Sequence, residues 1–172
     1  MSTNAYVCKE VCKDKYQGVL INLDGYPTNV GALLLDYYND RSKVDDLISH
    51  GDISSLKERL VPNASCEHSQ YNRQKGVTYF FDSYYTKTEP KIITIEDMCG
   101  NFLRPDYSYI YGLDRKWRVY SRDFDYGVFE PLDKVVKNDF LECGICNRPF
   151  GLYGFFTSYG QRDLLEADRI YG

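Results

Sequence analysis

Along this chain the apolar positions alternate first and take up helical spacing only later. Ala5 to Val11 and Tyr16 to Leu23 read as two strands, and the Lys13-Asp14 turn between them predicts a hairpin. In the second strand Val19 and Ile21 point one way while Leu20 and Asn22 point the other. Asp24-Gly25-Tyr26-Pro27 ends that strand with turn chemistry. Thr28 or Asn29 then caps a helix running to Tyr38, apolar at Val30, Leu33, Leu34 and Tyr37. A second helix is expected from Ser42 to Ser49, with Val44, Leu47 and Ile48 inward and Gly51 as its stop. Asp52 and Ser54 read as caps of a third, short helix ending at Leu60, before Pro62.

Asn63 to Lys75 is polar and aperiodic, hence a loop. Gly76 to Tyr85 and Lys91 to Ile95 read as strands, the latter ending near Asp97. Tyr107 to Tyr111 and Trp117 to Ser121 form a hairpin across Gly112-Leu113-Asp114-Arg115. Tyr107, Tyr109 and Tyr111 share one of its faces, Ser108 and Ile110 the other. Pro131 opens a helix with Leu132, Val135, Val136 and Phe140 inward. Phe150 to Tyr159 is aromatic and glycine-punctuated, strand or irregular, and Gln161 to Ile170 reads as a last helix. Helices cluster early, strands fill the middle, and no regular βαβ alternation occurs. That is an α+β pattern with a mainly antiparallel sheet. A length of 172 residues without repeats or an obvious linker fits a single domain, 1–172.

Composition adds tyrosine. Seventeen Tyr against one Trp bring the aromatic share to 16%, which suits half-buried sheets and contact surfaces alike. The net charge is −4, and Lys and Arg are interleaved with Asp and Glu almost everywhere. No basic stripe is visible, so direct nucleic-acid binding is not expected. An acidic protein can still dock on a basic surface of another protein. Met1 to Lys15 lacks an apolar signal region, and Ala32-Leu33-Leu34-Leu35 is far too short to span a bilayer. The expectation is a cytoplasmic protein without a membrane partner, in a compartment where thiols stay reduced.

Six cysteines in such a compartment argue for metal before disulfides. Cys143-Gly144-Ile145-Cys146 is half of a tetrahedral zinc site, and Cys8 with Cys12 offers the other half. Together Cys8, Cys12, Cys143 and Cys146 are expected to hold one structural zinc that joins the two ends of the chain. Substitution of one ligand by Cys66 or His68, or thiols that bind no metal, are the other readings. A closed four-cysteine site leaves no position for water, so the ion would support folding and not turnover.

Catalytic machinery is hard to assemble. The only histidines are His50, at a helix C-terminus that favours imidazolium, and His68, in the polar loop beside Cys66. A Cys66–His68 dyad at i and i+2 lacks an orienting third group. Asp45-Asp46 and the Asp123, Asp125 pair read as solvated carboxylates. No phosphate loop, dinucleotide turn or HExxH occurs. The chain is therefore read as a non-enzyme. The remaining lead is acidic and aromatic: Asp123, Asp125, Glu130 and Asp133 surround Tyr120, Phe124, Tyr126 and Phe129. Carboxylates beside exposed rings suit a partner rich in Lys and Arg. That makes Asp123, Phe124, Asp125, Tyr126, Glu130 and Asp133 candidate partner contacts; the competing reading is a solvated hairpin edge with its rings tucked inward.

Asp24-Gly25-Tyr26-Pro27, Val30-Gly31, Leu33-Leu34 and Tyr37-Tyr38 resemble a family of small phage and prophage proteins. The resemblance continues through Gly51 to Leu56, Gly76-Val77-Thr78, and Tyr107 to Tyr120 with Lys116-Trp117 at its centre. The family carries Trp where this chain has Leu23. With its paired-cysteine ends the chain is similar to zinc-containing anti-CRISPR proteins directed at the RNA-guided nuclease Cas9. The resemblance implies a stoichiometric inhibitor that binds Cas9, or its complex with guide RNA, in the bacterial host and prevents target DNA engagement. It carries over no functional residue. A phage enzyme acting on a nucleotide signal or nucleic acid through His68, and a regulator of some other host protein, are the alternatives.

Overall fold

The computed structural model describes residues 3–60, 76–80, 88–100 and 104–142. The first alternation becomes β1 (Ala5–Cys12) and β2 (Lys15–Ile21), antiparallel with Ala5 opposite Ile21. Asp14 turns the corner at φ 58°, in the left-handed region that Asp tolerates better than most residues. After the Asp24–Pro27 turn, a π-helical turn at Pro27–Gly31 leads straight into α1 (Ala32–Tyr37). Pro27 thus opens the helix, earlier than the expected cap at Thr28 or Asn29, because proline's fixed φ is already helical and it lacks the amide the first turn cannot use. The Asn29 side chain instead donates back to the Asp24 carbonyl at 2.9 Å.

α2 (Arg41–Ser49) follows, capped by Asp40, whose carboxylate accepts the Lys43 amide at 2.9 Å. Val44, Leu47 and Ile48 face inward as the spacing requires, and Gly51 stops the run at φ 85°. The third helix expected before Leu60 does not form. Ile53–Ser55 is instead a buried strand, β3, set parallel to β2 at Ile21. The amides of Asn22 and Leu23 bond to the Ile53 and Ser54 carbonyls at 2.9 and 3.1 Å. A β-branched residue and two serines have weak helix preference, so the sheet pairing prevails.

β4 (Tyr79–Phe80) pairs with β3, and β5 (Lys91–Ile93) pairs with the first half of β2. β5 stops two residues short of the expected Ile95, because Asp97 accepts both the amide and the hydroxyl of Thr94 at 2.8 Å and starts a π-helical turn, Glu96–Gly100. β6 (Tyr107–Tyr111) and β7 (Trp117–Ser121) form the expected hairpin. β8 (Glu130–Pro131) edges β7, and α3 (Leu132–Glu142) completes the described chain. The expected loop at Asn63–Lys75, the end of the Gly76–Tyr85 strand, the 143–146 knuckle, the aromatic stretch and the last helix lie outside the described residues.

The eight strands form one sheet in the order β4-β3-β2-β1-β6-β7-β8, with β5 beside β2. It is mixed but mostly antiparallel, and with the helices the fold is α+β. The β1–β6 and β2–β3 contacts are parallel. The helices cover one face, where Val7, Val19, Ile21, Tyr109, Tyr111 and Val119 meet Leu33, Leu34, Leu47 and Val136. Complete burial of each such aliphatic side chain contributes about 1.5–3 kcal/mol. At the helix crossing Gly31 allows a close approach: a Cβ there would stand 3.0 Å from Val136 Cγ2 and 3.1 Å from Leu132 Cδ1, so those side chains would have to give by a few tenths of an ångström. The Trp117 indole donates to the Tyr38 carbonyl at 3.0 Å, so its one polar atom is satisfied inside the core. On the opposite face a second cluster gathers Cys8, Tyr16, Ile93, Met98, Cys99, Ile110 and Tyr120. Among the described residues no helix is long and apolar enough to cross a membrane.

Candidate partner-binding surface

The loop from Arg122 to Phe129, between β7 and β8, lies over the second cluster. Phe124 and Phe129 turn in and pack edge-on or tilted against Tyr120, with ring centroids 6.4 and 5.6 Å away. Those two rings anchor the loop from below. Gly127 turns it at φ 73°, with nothing within 4 Å of where a Cβ would stand. At its crest Tyr126 is 60% exposed and Val128 44% exposed. The Tyr126 hydroxyl donates to Glu96 Oε2 at 3.0 Å, so the exposed ring is held from its far end. The same carboxylate is the main reason the phenol is pushed above its usual range.

Asp123 and Asp125 are exposed on this loop, on either side of inward-facing Phe124. Asp123 also borders a cleft of about 470 Å³ with Asn4, Tyr26, Asp106, Tyr107 and Arg122. Arg122 partly neutralises that cleft, reaching Asp106 at 3.4 Å and the Arg104 carbonyl at 2.9 Å. Asp123, Phe124, Asp125 and Tyr126 are therefore brought together. Glu130 is set apart, half-buried in β8 with Lys134 at 3.9 Å. Asp133 stands in the first turn of α3, where a carboxylate suits the helix dipole. It lines a separate groove of about 420 Å³ with Leu35, Lys116, Trp117, Arg118 and Pro131.

Glu96 is the part of this surface that sequence reading missed. Thirty positions separate it from Tyr126, and only the Thr94–Asp97 cap signals that a turn sits there. Beneath the loop, Cys99 is buried, which pushes its thiol up against the opposing hydrogen bonds from the Gly127 backbone and the Tyr120 side chain.

The expected metal ligands fare differently. Cys8 is wholly buried in the second cluster, opposite Gly18, where a Cβ would come within 2.6 Å of the Cys8 sulfur. Burial pushes its thiol up, and Asp97 adds to the shift. Cys12 is exposed at the far end of the same strand. Four residues of extended chain separate the two by about 13 Å, whereas thiolates on one zinc lie about 3.8 Å apart. On this strand the two do not fit a shared ion. Cys143, Cys146, Cys66 and His68 lie outside the described residues. Among the described residues no group of three or more His, Cys, Asp or Glu is gathered as a metal site.

The other charged candidates are tied into surface pairs. Asp45 receives Lys9 at 2.7 Å and Arg41 at 3.2 Å, joining α2 to β1. His50, just past α2, stands 3.3 Å from Asp46 and packs tilted against Phe80, with ring centroids 4.8 Å apart. In comparisons with known proteins, no family model, no curated protein and no solved structure matches this chain.

Proposed function

We propose that this protein is a stoichiometric interaction protein that docks its 122–129 loop on a basic surface of a partner, and that the partner is Cas9. The observation carrying the first half is Tyr126, an outward ring fixed by Glu96 and set beside Asp123 and Asp125 on a loop anchored by two half-buried phenylalanines. A ring held before binding loses little freedom on docking, and carboxylates around it meet lysine and arginine across an interface. The second half rests on the resemblance. Cas9 holds nucleic acid in positively charged channels, which an acidic loop could occupy in place of target DNA. The protein would then act in the cytoplasm of the bacterial host.

A structural zinc remains part of this proposal in a narrower form. Cys12, exposed at the end of β1, is the N-terminal thiol accessible to an ion that Cys143 and Cys146 would share; Cys8 is committed to the core.

Titration of purified Cas9 with the full chain tests the reading. Inhibition of DNA binding should saturate near one protein per nuclease, and retention in a pull-down should fall between about 0.1 and 0.5 M salt as screening shortens. Retention indifferent to salt would remove the charge-led interface. Full inhibition at a small fraction of one equivalent would point to turnover instead, and no retention by Cas9 would remove that partner.

A further inference from the structure

The end of the sheet opposite the acidic loop carries the other charge. Because β1 and β6 run parallel, the β1–β2 turn and the β6–β7 turn emerge side by side. These turns expose Lys13, Lys15, Arg115 and Lys116, and among the described residues none of the four enters an ion pair. The nearby carboxylates are partly committed. Asp114 is gripped by both Arg118 nitrogens at 3.0 and 2.6 Å, and Glu10 accepts the Leu113 amide at 3.0 Å. Residues 10–16 and 112–118 hold five cations against three carboxylates, a local +2 in a chain of net −4.

We propose that this twin-turn tip binds the phosphate backbone of a nucleic acid. The tip spans four neighbouring strands, β2, β1, β6 and β7, hence about 14 Å across. The four exposed cations, two on each turn, allow up to four phosphate contacts. Tyr16, Tyr111 and Trp117 are buried, so among the described residues no aromatic ring is left on the tip for base stacking. Contact is with the backbone and independent of base sequence.

Asp14 and Arg115, at φ 58° and 61°, make both turns sharp, and the Arg118–Asp114 fork braces the second. β1 is eight residues long, so about 23 Å separates its ends, against a screening length of about 8 Å at physiological salt. The acidic loop does not cancel the tip. In the linear sequence these cations are interleaved with carboxylates in two distant stretches, which is why no basic stripe is visible there. The inference is independent of the loop reading.

The test is fluorescence anisotropy of a short labelled DNA duplex of arbitrary sequence with the full chain. Four phosphate contacts give a log–log salt slope of about −3.6, an affinity loss of about 150-fold between 50 and 200 mM salt. Lys13→Gln, Lys15→Gln and Lys116→Gln combined with Arg115→Asn, which tolerates the left-handed turn, should abolish binding with unchanged circular dichroism. No binding at the lower salt, a flat salt response, or full binding by the quadruple variant overturns the proposal. Leu113, 53% exposed among the cations, names the competitor. Capture of the wild type by phosphatidylserine vesicles but not by nucleic acid would assign the tip to an anionic lipid surface and overturn it too.

Discussion

Tyr109 donates its hydroxyl to the Gly25 carbonyl across 2.7 Å, tying β6 to the Asp24–Pro27 turn 84 positions earlier. Both residues are buried. Tyr109→Phe keeps the ring and leaves that carbonyl without its donor, at a cost of about 1–3 kcal/mol. Urea unfolding should show a lower midpoint at unchanged slope. A shift within about 0.5 kcal/mol, the range of an inert surface change, would mean the bond contributes nothing.

Tyr38 and Tyr109 also set an alkaline limit. Burial is the leading cause that raises both phenols, and for Tyr38 the Thr78 hydrogen bond opposes it. The unfolded chain releases these protons near pH 10 while the folded chain retains them, so their contribution is complete below pH 10 and falls as pH rises beyond it. The limiting slope is about 1.4 kcal/mol per pH unit for each tyrosine. Tyrosinate absorbance should appear together with unfolding, and Tyr109→Phe should make the decline shallower. Ionisation well before unfolding would show that neither phenol is protected.

The two N-terminal cysteines should separate in function. Cys8→Ser places a hydroxyl among Met98, Ile110 and Tyr120 and should lower the melting temperature without altering metal content. Cys12→Ser should lower zinc content, measured on protein purified without chelator, because the exposed thiol is the one available to an ion. Equal metal loss from both variants would require β1 to rearrange at its end. No zinc in the wild type would remove the ion altogether.

The loop can be tested apart from the fold. Tyr126→Ala should weaken Cas9 retention about tenfold or more, as removal of an exposed aromatic anchor does. Asp123→Asn with Asp125→Asn should chiefly flatten the salt dependence. Neither change touches Phe124 or Phe129, so melting temperatures should stay close to wild type. Undiminished retention in both variants would place the interface elsewhere.

Tyr126 shows how far the candidate surface was legible beforehand. Its ring, the flanking aspartates and the neighbouring phenylalanines are local in sequence, and a run of aromatic and acidic residues marks them. Which rings turn inward is not local. Phe124 and Phe129 find Tyr120, while Tyr126 finds Glu96 on another element. Glu130 and Asp133 separate from the group because β8 pairs with β7 and directs the chain into α3.

By itself, the order of residues determined both hairpins, α2 and α3. Strand alternation and helical spacing are properties of neighbours a few positions apart, and each of these elements buries its apolar face in the way its period demands. Tertiary structure decided what local preference leaves open. Ile53 became a strand residue because Ile21 was there to pair with it, and Cys8 parted from Cys12 because β1 is extended. The parallel join of β1 to β6 brought two distant turns to one end and sorted an interleaved sequence into acidic and basic poles. Such pairings depend on contacts between remote residues, whose cost and reward appear only when the whole sheet assembles.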